Sequence, residues 1–350
     1  MRIEENRELA SLTTLGVGGP ARWFVEAESE RDVAEAEGWA RERRVPLFVL
    51  GGGSNLLVAD GGFAGLVLRV ALKGVSVQDS AAGSGERIYA VAAGEDWDQF
   101  VERTVQENCA GLECLAGIPG TVGGTPVQNV GAYGQEVAST IVRVRAFDLQ
   151  QNTFVDLSAD ECGFGYRLSR FNSMDKGRFI LTAVEYKLSV SGSPCLRYAD
   201  LQRTFPSGTK PSLREVAEAV RGIRRAKGMV IVEGDSDCRS AGSFFKNPIV
   251  AESQVVRIAQ VAGADPPCYP AGVDNPGCVK LAAAWLIERA GFSKGYALGR
   301  AAISTKHTLA LVNLGGATAA EIVALANQIR SAVVERYAID LEMEPVRIGF

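Results

Sequence analysis

The chain has 350 residues, 47% of them apolar and 22% charged, with a formal net charge of −4. That length exceeds one ordinary core and predicts two or three domains, and the composition is that of a soluble globular protein. The acidic balance, with no basic face and no interleaving of aromatic and basic residues, excludes a nucleic-acid footprint.

The N-terminal MRIEENRELA carries acidic residues where a signal peptide needs an apolar core. No apolar run approaches the ~20 residues of a membrane span, so a cytoplasmic protein without a membrane partner is expected. GVGGPARWFVEAES then predicts a glycine turn and a strand, and Ser29 with Asp32 marks a helix start leading into Arg31 to Arg43. The apolar stretch Pro46 to Leu50 runs into Gly51, Gly52, Gly53, Ser54 and Asn55, after which two short strands joined by a glycine turn reach Val70. Amides of the triplet could form an anion nest. The stretch lacks the G-x-G-x-x-G pattern and following acid of a dinucleotide-binding fold.

A second block, about Val75 to Ala226, is expected to hold a helix over Trp97 to Asn108, strands over Ile141 to Phe147 and Phe179 to Leu188, and a basic helix over Ser212 to Lys227. Between the first helix and those strands lies GLECLAGIPGTVGGTPVQNVGAYGQE, Gly111 to Glu136. Glycine costs about 0.5–1 kcal/mol relative to alanine in regular structure, so so many glycines imply bare peptide lying against a ligand. Gly123 and Gly124 are expected to aim N–H groups at phosphate or a flavin edge. Pro119 and Pro126 would stiffen the loop, and Asn129 and Tyr133 would supply polar contacts. Two such loops in one chain point to a diphosphate ligand.

The third block follows MVIVEGDSD, with helices expected over Cys278 to Ala290 and Ala319 to Tyr337 around a strand over His307 to Asn313. A Pro, Gly and Asp-rich loop from Val261 to Pro276, carrying Tyr269, is long enough for a lid. Without a regular βαβ rhythm the fold class reads as α+β. The seven cysteines form no C-x-x-C pair and make an odd count, so neither a disulfide framework nor a metal site is expected. A thiol at Cys114, inside the glycine-rich loop, could in principle tether a cofactor, although packing is the simpler role.

His307 is the only histidine and G-x-S-x-G is absent, which argues against a Ser-His-Asp hydrolase. In RSAGSFFKNP a turn of small residues presents Ser243, which in isolation would read as a helix cap. Arg167 in GFGYR, Lys227 in RRAKG and Glu344 in LEMEP could each be surface groups.

Taken together, GGGSN, GIPGTVGG, VQNVGAYG, GFGYR, AGSFFKNP, KLAAAWLIERAG and the closing LEMEP resemble the UDP-N-acetylenolpyruvoylglucosamine reductase family from about Thr14 to Gly349. The Cys268 to Pro270 segment resembles its long form. The resemblance implies a flavoenzyme of peptidoglycan precursor synthesis with a two-part FAD-binding region of the PCMH/vanillyl-alcohol-oxidase type. Those parts would be residues 1–74, joined by a closing strand at 340–350, and residues 75–226, with a UDP-sugar domain at 227–339. FAD would be held noncovalently by Gly51, Gly52, Gly53, Ser54, Asn55, Gly117, Ile118, Pro119, Gly120, Thr121, Gly123, Gly124 and Gly131.

NADPH and UDP-N-acetylglucosamine enolpyruvate would take turns in one cleft of a monomer. Arg167 would stabilise an enolate-like intermediate, Ser243 would act as general acid, and Glu344 would assist. Tyr133, Tyr198, Lys227, Asn247, Tyr269, Lys294 and His307 match substrate-contact positions. One departure is Glu344-Pro345-Val346-Arg347, where relatives read Glu-Val-Arg; on a strand the extra proline turns the arginine to the other face. Glu342 would share a strand face with Glu344, so spacing does not separate them. Two rivals stand beside this reading: a sugar or alcohol oxidase of the same flavin architecture, and a noncatalytic flavin or UDP-sugar sensor.

Overall fold

The computed structural model, which describes residues 1–80, 84–272 and 275–350, divides the chain into two compact units. The first comprises Met1–Arg7, Ala21–Gly53 and Ala64–Ala226. One of its sheets runs in the order Glu4–Glu8, Pro20–Ala27, Phe63–Val70, Leu47–Leu50, the last two strands parallel with Leu47 opposite Leu66. Helix Glu30–Arg43 begins where the Ser29 side chain accepts the Asp32 N–H and ends at Arg44, φ 54°. Its Val33, Ala36 and Ala40 face Val25, Ala27, Leu66 and Leu68 in one core, the stripe that i, i+3, i+4 spacing produces.

The second sheet of this unit is antiparallel, ordered Thr153–Ser158, Ile141–Asp148, Phe179–Val190, Glu86–Ala92, Val75–Asp79, with Cys109–Ala110 pairing the end of Phe179–Val190. Helix Trp97–Gln106, capped by Asp96, buries Trp97 and Phe100 against Tyr186 with ring centroids 5.9 and 5.3 Å apart. The two sheets are tied by Arg145, whose Nε and Nη2 donate to the two Glu30 carboxylate oxygens at 2.6 and 3.0 Å.

The second unit comprises Glu8–Pro20, Ser54–Phe63 and Lys227–Phe350. Its longest element, helix Ala319–Tyr337, opens with a capping box between Thr318 and Glu321, and both Asp60 carboxylate oxygens accept N–H groups of its first turn, from Ala319 at 2.7 Å and Ala320 at 3.0 Å. A negative group at that end also suits the helix dipole. Ile322, Leu325, Ala326, Ile329 and Val333 are fully buried. Around it lie an antiparallel sheet of Ala297–Leu298, Ala301–Ile303 and Leu311–Asn313, a second of Ile249–Ala251, Cys278–Leu281 and Cys268–Pro270, and a parallel pair of Leu56–Val58 with Val346–Ile348.

The α+β class holds, and several elements differ in detail from expectation. Cys278–Leu281 is the central strand of a three-stranded sheet and only Ala283–Arg289 is helical, because pairing on both edges overrides the helical periodicity. The strand expected from His307 begins at Leu311, after a turn in which the Ala310 N–H donates to the His307 carbonyl. The stretch expected as a loop from Val261 contains the end of helix Glu252–Ala262 and the strand Cys268–Pro270, and its Val273 and Asp274 lie outside the described residues. LEMEP is not a continuous strand: Met343 bridges Phe245 alone, and regular pairing resumes at Val346. Among the described residues no helix is long and apolar enough to cross a membrane.

Candidate functional site

The two glycine loops of the first unit meet backbone to backbone. A Cβ on Gly52 would lie 2.5 Å from the Gly120 Cα and 3.0 Å from the Thr121 nitrogen, so no side chain fits there. The second loop is clamped from outside: the Gly117 N–H donates to Asp98 Oδ1 at 2.6 Å, the Gly117 carbonyl accepts from Arg224 Nε at 3.0 Å, and the Gly120 carbonyl accepts the Trp97 N–H at 3.1 Å. Ile118 packs on the core, and Pro119 is half-buried beside it. Thr121 Oγ1 is buried with no hydrogen-bond partner among the described residues. A rigid, close-packed backbone cradle with an orphaned hydroxyl fits a ligand that supplies the missing partner.

Two expectations for this loop are corrected. The Gly123 N–H donates to the Ala93 carbonyl at 2.8 Å and the Gly124 N–H to the Thr121 carbonyl at 2.9 Å, so neither is aimed at a ligand; Gly123 is small because a Cβ would fall 2.6 Å from the Ala93 Cβ. Asn129 is 1% exposed and directs its amide into the protein, Nδ2 donating to Glu136 Oε2 at 2.9 Å and to the Gly165 carbonyl at 3.0 Å. Cys114 is fully buried, its Sγ donates to the Cys195 carbonyl at 3.2 Å, and burial pushes its pKa far above the ordinary thiol value. Such a thiol is inert and suits packing, not a covalent tether.

Downstream, Gly131 and Ala132 pair with Glu136 and Gln135, leaving Tyr133 and Gly134 at the tip of a two-residue turn with φ of 50° and 85°. Tyr133 packs edge-on against Tyr198, ring centroids 5.2 Å apart. Arg167 occupies a second such turn, where Gly165 and Leu168 exchange backbone hydrogen bonds at 2.9 and 3.2 Å. Its φ of 54° is a left-handed conformation that ordinarily goes to glycine or asparagine. Bulky residues held there cost about 1–3 kcal/mol each and gather where function demands a particular aim.

In the second unit Ser243 adjoins a segment threaded between two others. The Phe244 N–H donates to the Leu309 carbonyl at 2.7 Å, and the Phe244 carbonyl accepts the Glu344 N–H at 2.9 Å. Asn55 Nδ2 donates to the Glu344 carbonyl at 3.3 Å, and the Thr14 hydroxyl reaches the Ser54 carbonyl at 3.3 Å. Glu342 is exposed and ion-paired with Lys246 at 2.7 Å, and Arg347 is exposed with its guanidinium stacked 4.5 Å from the Phe350 ring centre.

Lys227, Lys294 and His307 share one electrostatic neighbourhood: burial first, then the two ammonium charges, lower the His307 pKa to about 4. The imidazole is therefore neutral at pH 7. The His307 N–H is held by Ser304 Oγ at 3.2 Å. Asn247 Oδ1 accepts the Ala283 N–H at 2.9 Å, capping helix Ala283–Arg289, and Tyr269 stands on an exposed strand opposite Lys280.

Arg224 was not anticipated. Helix Leu213–Ala226 buries Leu213, Val216, Ala217, Val220 and Arg224 along one stripe, so an arginine on an otherwise apolar face was the signal available. Burial lowers its pKa from the ordinary arginine value, opposed by Tyr133 and Asp98.

Comparison with known proteins accords with this geometry. Residues 21–158 match the FAD binding domain family, and residues 234–348 match the family described as UDP-N-acetylenolpyruvoylglucosamine reductase, C-terminal domain. The reductase of that name from Thermobifida fusca is 47% identical over 98% of this chain and 97% of its own length, and that from Streptomyces avermitilis 44% identical over 97% and 93%. The crystal structure of the reductase from Thermus caldophilus superposes with a TM-score of 0.66 at 29% identity, covering both chains completely. The chain belongs to the UDP-N-acetylenolpyruvoylglucosamine reductase family.

Proposed function

We propose that the chain reduces the enolpyruvyl group of UDP-N-acetylglucosamine enolpyruvate to UDP-N-acetylmuramate, at the expense of NADPH, in peptidoglycan precursor synthesis. Family membership over nearly the full chain supports the reaction, and the cradle around Gly52 and Gly120 supports the cofactor. FAD, held noncovalently by Gly51 to Asn55 and Gly117 to Thr121 with Gly131, supplies the two-electron carrier between NADPH and the double bond. Across the reaction the terminal carbon gains a hydride, the adjacent carbon gains a proton, and NADP⁺ is released.

The chain's own residues manage the charge that this creates. Hydride arrival pushes electrons toward the substrate carboxylate, and in this reading the Arg167 guanidinium neutralises them. Ser243 then gives its hydroxyl proton to the adjacent carbon; a carbanion beside a carboxylate is a stronger base than an alkoxide, so the transfer runs downhill. In this reading the Glu344 carboxyl group helps to stabilise the intermediate. The single observation that supports pairing Ser243 with Glu344 is the backbone bond from Glu344 to Phe244 at 2.9 Å, which sets the two on neighbouring segments while Glu342 is engaged by Lys246.

Lys227, Lys294 and neutral His307 suit the uridine diphosphate, joined in this reading by Tyr133, Tyr198, Asn247 and Tyr269. We keep a three-part organisation on the strength of three buried cores, which cross the boundaries at 74 and 226: Ala93, Phe147 and Ile180 pack in the core of the first part, and Leu15, Val17 and Leu57 in that of the third. We further place the protein in the cytoplasm as a monomer, with NADPH and the UDP-sugar alternating in one cleft. The test is stoichiometry under air: one UDP-N-acetylmuramate per NADPH, with flavin released into the supernatant on denaturation. Peroxide formed from a sugar or alcohol without NADPH, or flavin retained on the chain, would favour the oxidase instead.

A further inference from the structure

We propose that Asn129 is a positioning residue that couples the Arg167 turn to the flavin-loop segment; the inference rests on the role proposed for Arg167. Asn129 lies between the second glycine loop and the Tyr133 hairpin and is itself left-handed, φ 46°. All three of its amide contacts are made to protein. Oδ1 accepts the Ala138 N–H at 3.1 Å, while the two Nδ2 hydrogens go to Glu136 Oε2 at 2.9 Å and to the Gly165 carbonyl at 3.0 Å. Glu136 is the hairpin residue opposite Gly131, and Gly165 is the residue at which the Arg167 turn closes. One side chain thus bolts the two strained turns together.

The far side of the Arg167 turn is held in the same way. Asn172 Nδ2 donates to the Arg167 carbonyl at 3.1 Å, and the fully buried Ser169 hydroxyl donates to the Val127 carbonyl at 2.6 Å, back on the segment that follows the glycine loop. The guanidinium therefore stands on a turn indexed to that segment at both ends, where a turn joined only by its own backbone could slide or relax from its left-handed conformation. Preorganised charge is effective only when its aim is fixed before reaction.

Asn129→Gly tests this cleanly, because glycine keeps the positive φ without strain and deletes only the amide. Anaerobic rapid mixing should show flavin reduction by NADPH within about twofold of wild type and reoxidation by the UDP-sugar slowed about tenfold or more. In an Arg167→Ala background the same substitution should add little further, since a residue acting through Arg167 has nothing left to position. Full multiplicative loss in the double variant, or equal loss in both half-reactions, would overturn the inference. If Arg167→Ala does not itself slow reoxidation, the role given to Arg167 falls instead. Should Asn129→Gly not fold, Ser169→Ala, which removes the bond to Val127, carries the same double-variant test.

Discussion

Ser243→Ala removes one hydroxyl from the Ser240 to Phe245 segment and leaves its backbone pairing untouched. Loss of a general acid typically costs 10²–10⁴-fold, so reoxidation of the flavin by the UDP-sugar is expected to slow by about that much while reduction by NADPH changes little. Equal slowing of both steps, read by rapid-mixing absorbance, would assign Ser243 a structural role. His307 makes a separate prediction about stability. Its pKa is 6.5 in the unfolded chain and about 4 in the fold, so between those values the unfolded state binds the extra proton. The stabilisation is complete above pH 6.5 and is lost as pH falls toward 4, amounting to at most roughly 3.5 kcal/mol at about 1.4 kcal/mol per unit. Chemical denaturation of wild type and His307→Gln across that window should show the shallower slope in the variant; identical slopes would remove His307 from the acid response.

At the scale of elements, the two loops owe their joint geometry to close backbone approach. Gly52→Ala would drive a methyl to 2.5 Å from the Gly120 Cα, a contact no rotamer can relieve, whereas a Cβ on Gly124 meets nothing within 4 Å. FAD titration of the apoprotein is expected to show affinity weakened at least about tenfold by Gly52→Ala and nearly unchanged by Gly124→Ala; the reverse order would mean that the cradle is not the flavin site. The sequence signalled the loops because a glycine excess has few other causes, yet it misjudged Gly123, which yields to Ala93 and not to a ligand. Helix Ala319–Tyr337 was legible end to end, since its cap and apolar stripe are local signals. Cys278–Leu281 was not, because the strands that pair with it lie outside any sequence window. Arg224 was likewise hidden in a run of surface-like arginines until the helix face was known.

For the whole molecule, fold class and family were legible from motif order along the chain, and what remained illegible was which groups are turned inward. Asn129 reads as a ligand contact in VQNVGAYG but is 1% exposed, and Glu342 and Glu344 become distinguishable only through the ion pair with Lys246. In the proposed reaction one bound flavin links NADPH oxidation to reduction of an enolpyruvyl double bond. The most direct measurement is to reduce the purified holoenzyme with NADPH without oxygen, add UDP-N-acetylglucosamine enolpyruvate, and follow the flavin's visible band. The band should recover promptly, with UDP-N-acetylmuramate formed in equal amount. A band that stays bleached until oxygen is admitted would contradict the proposed reaction and leave the oxidase reading in its place.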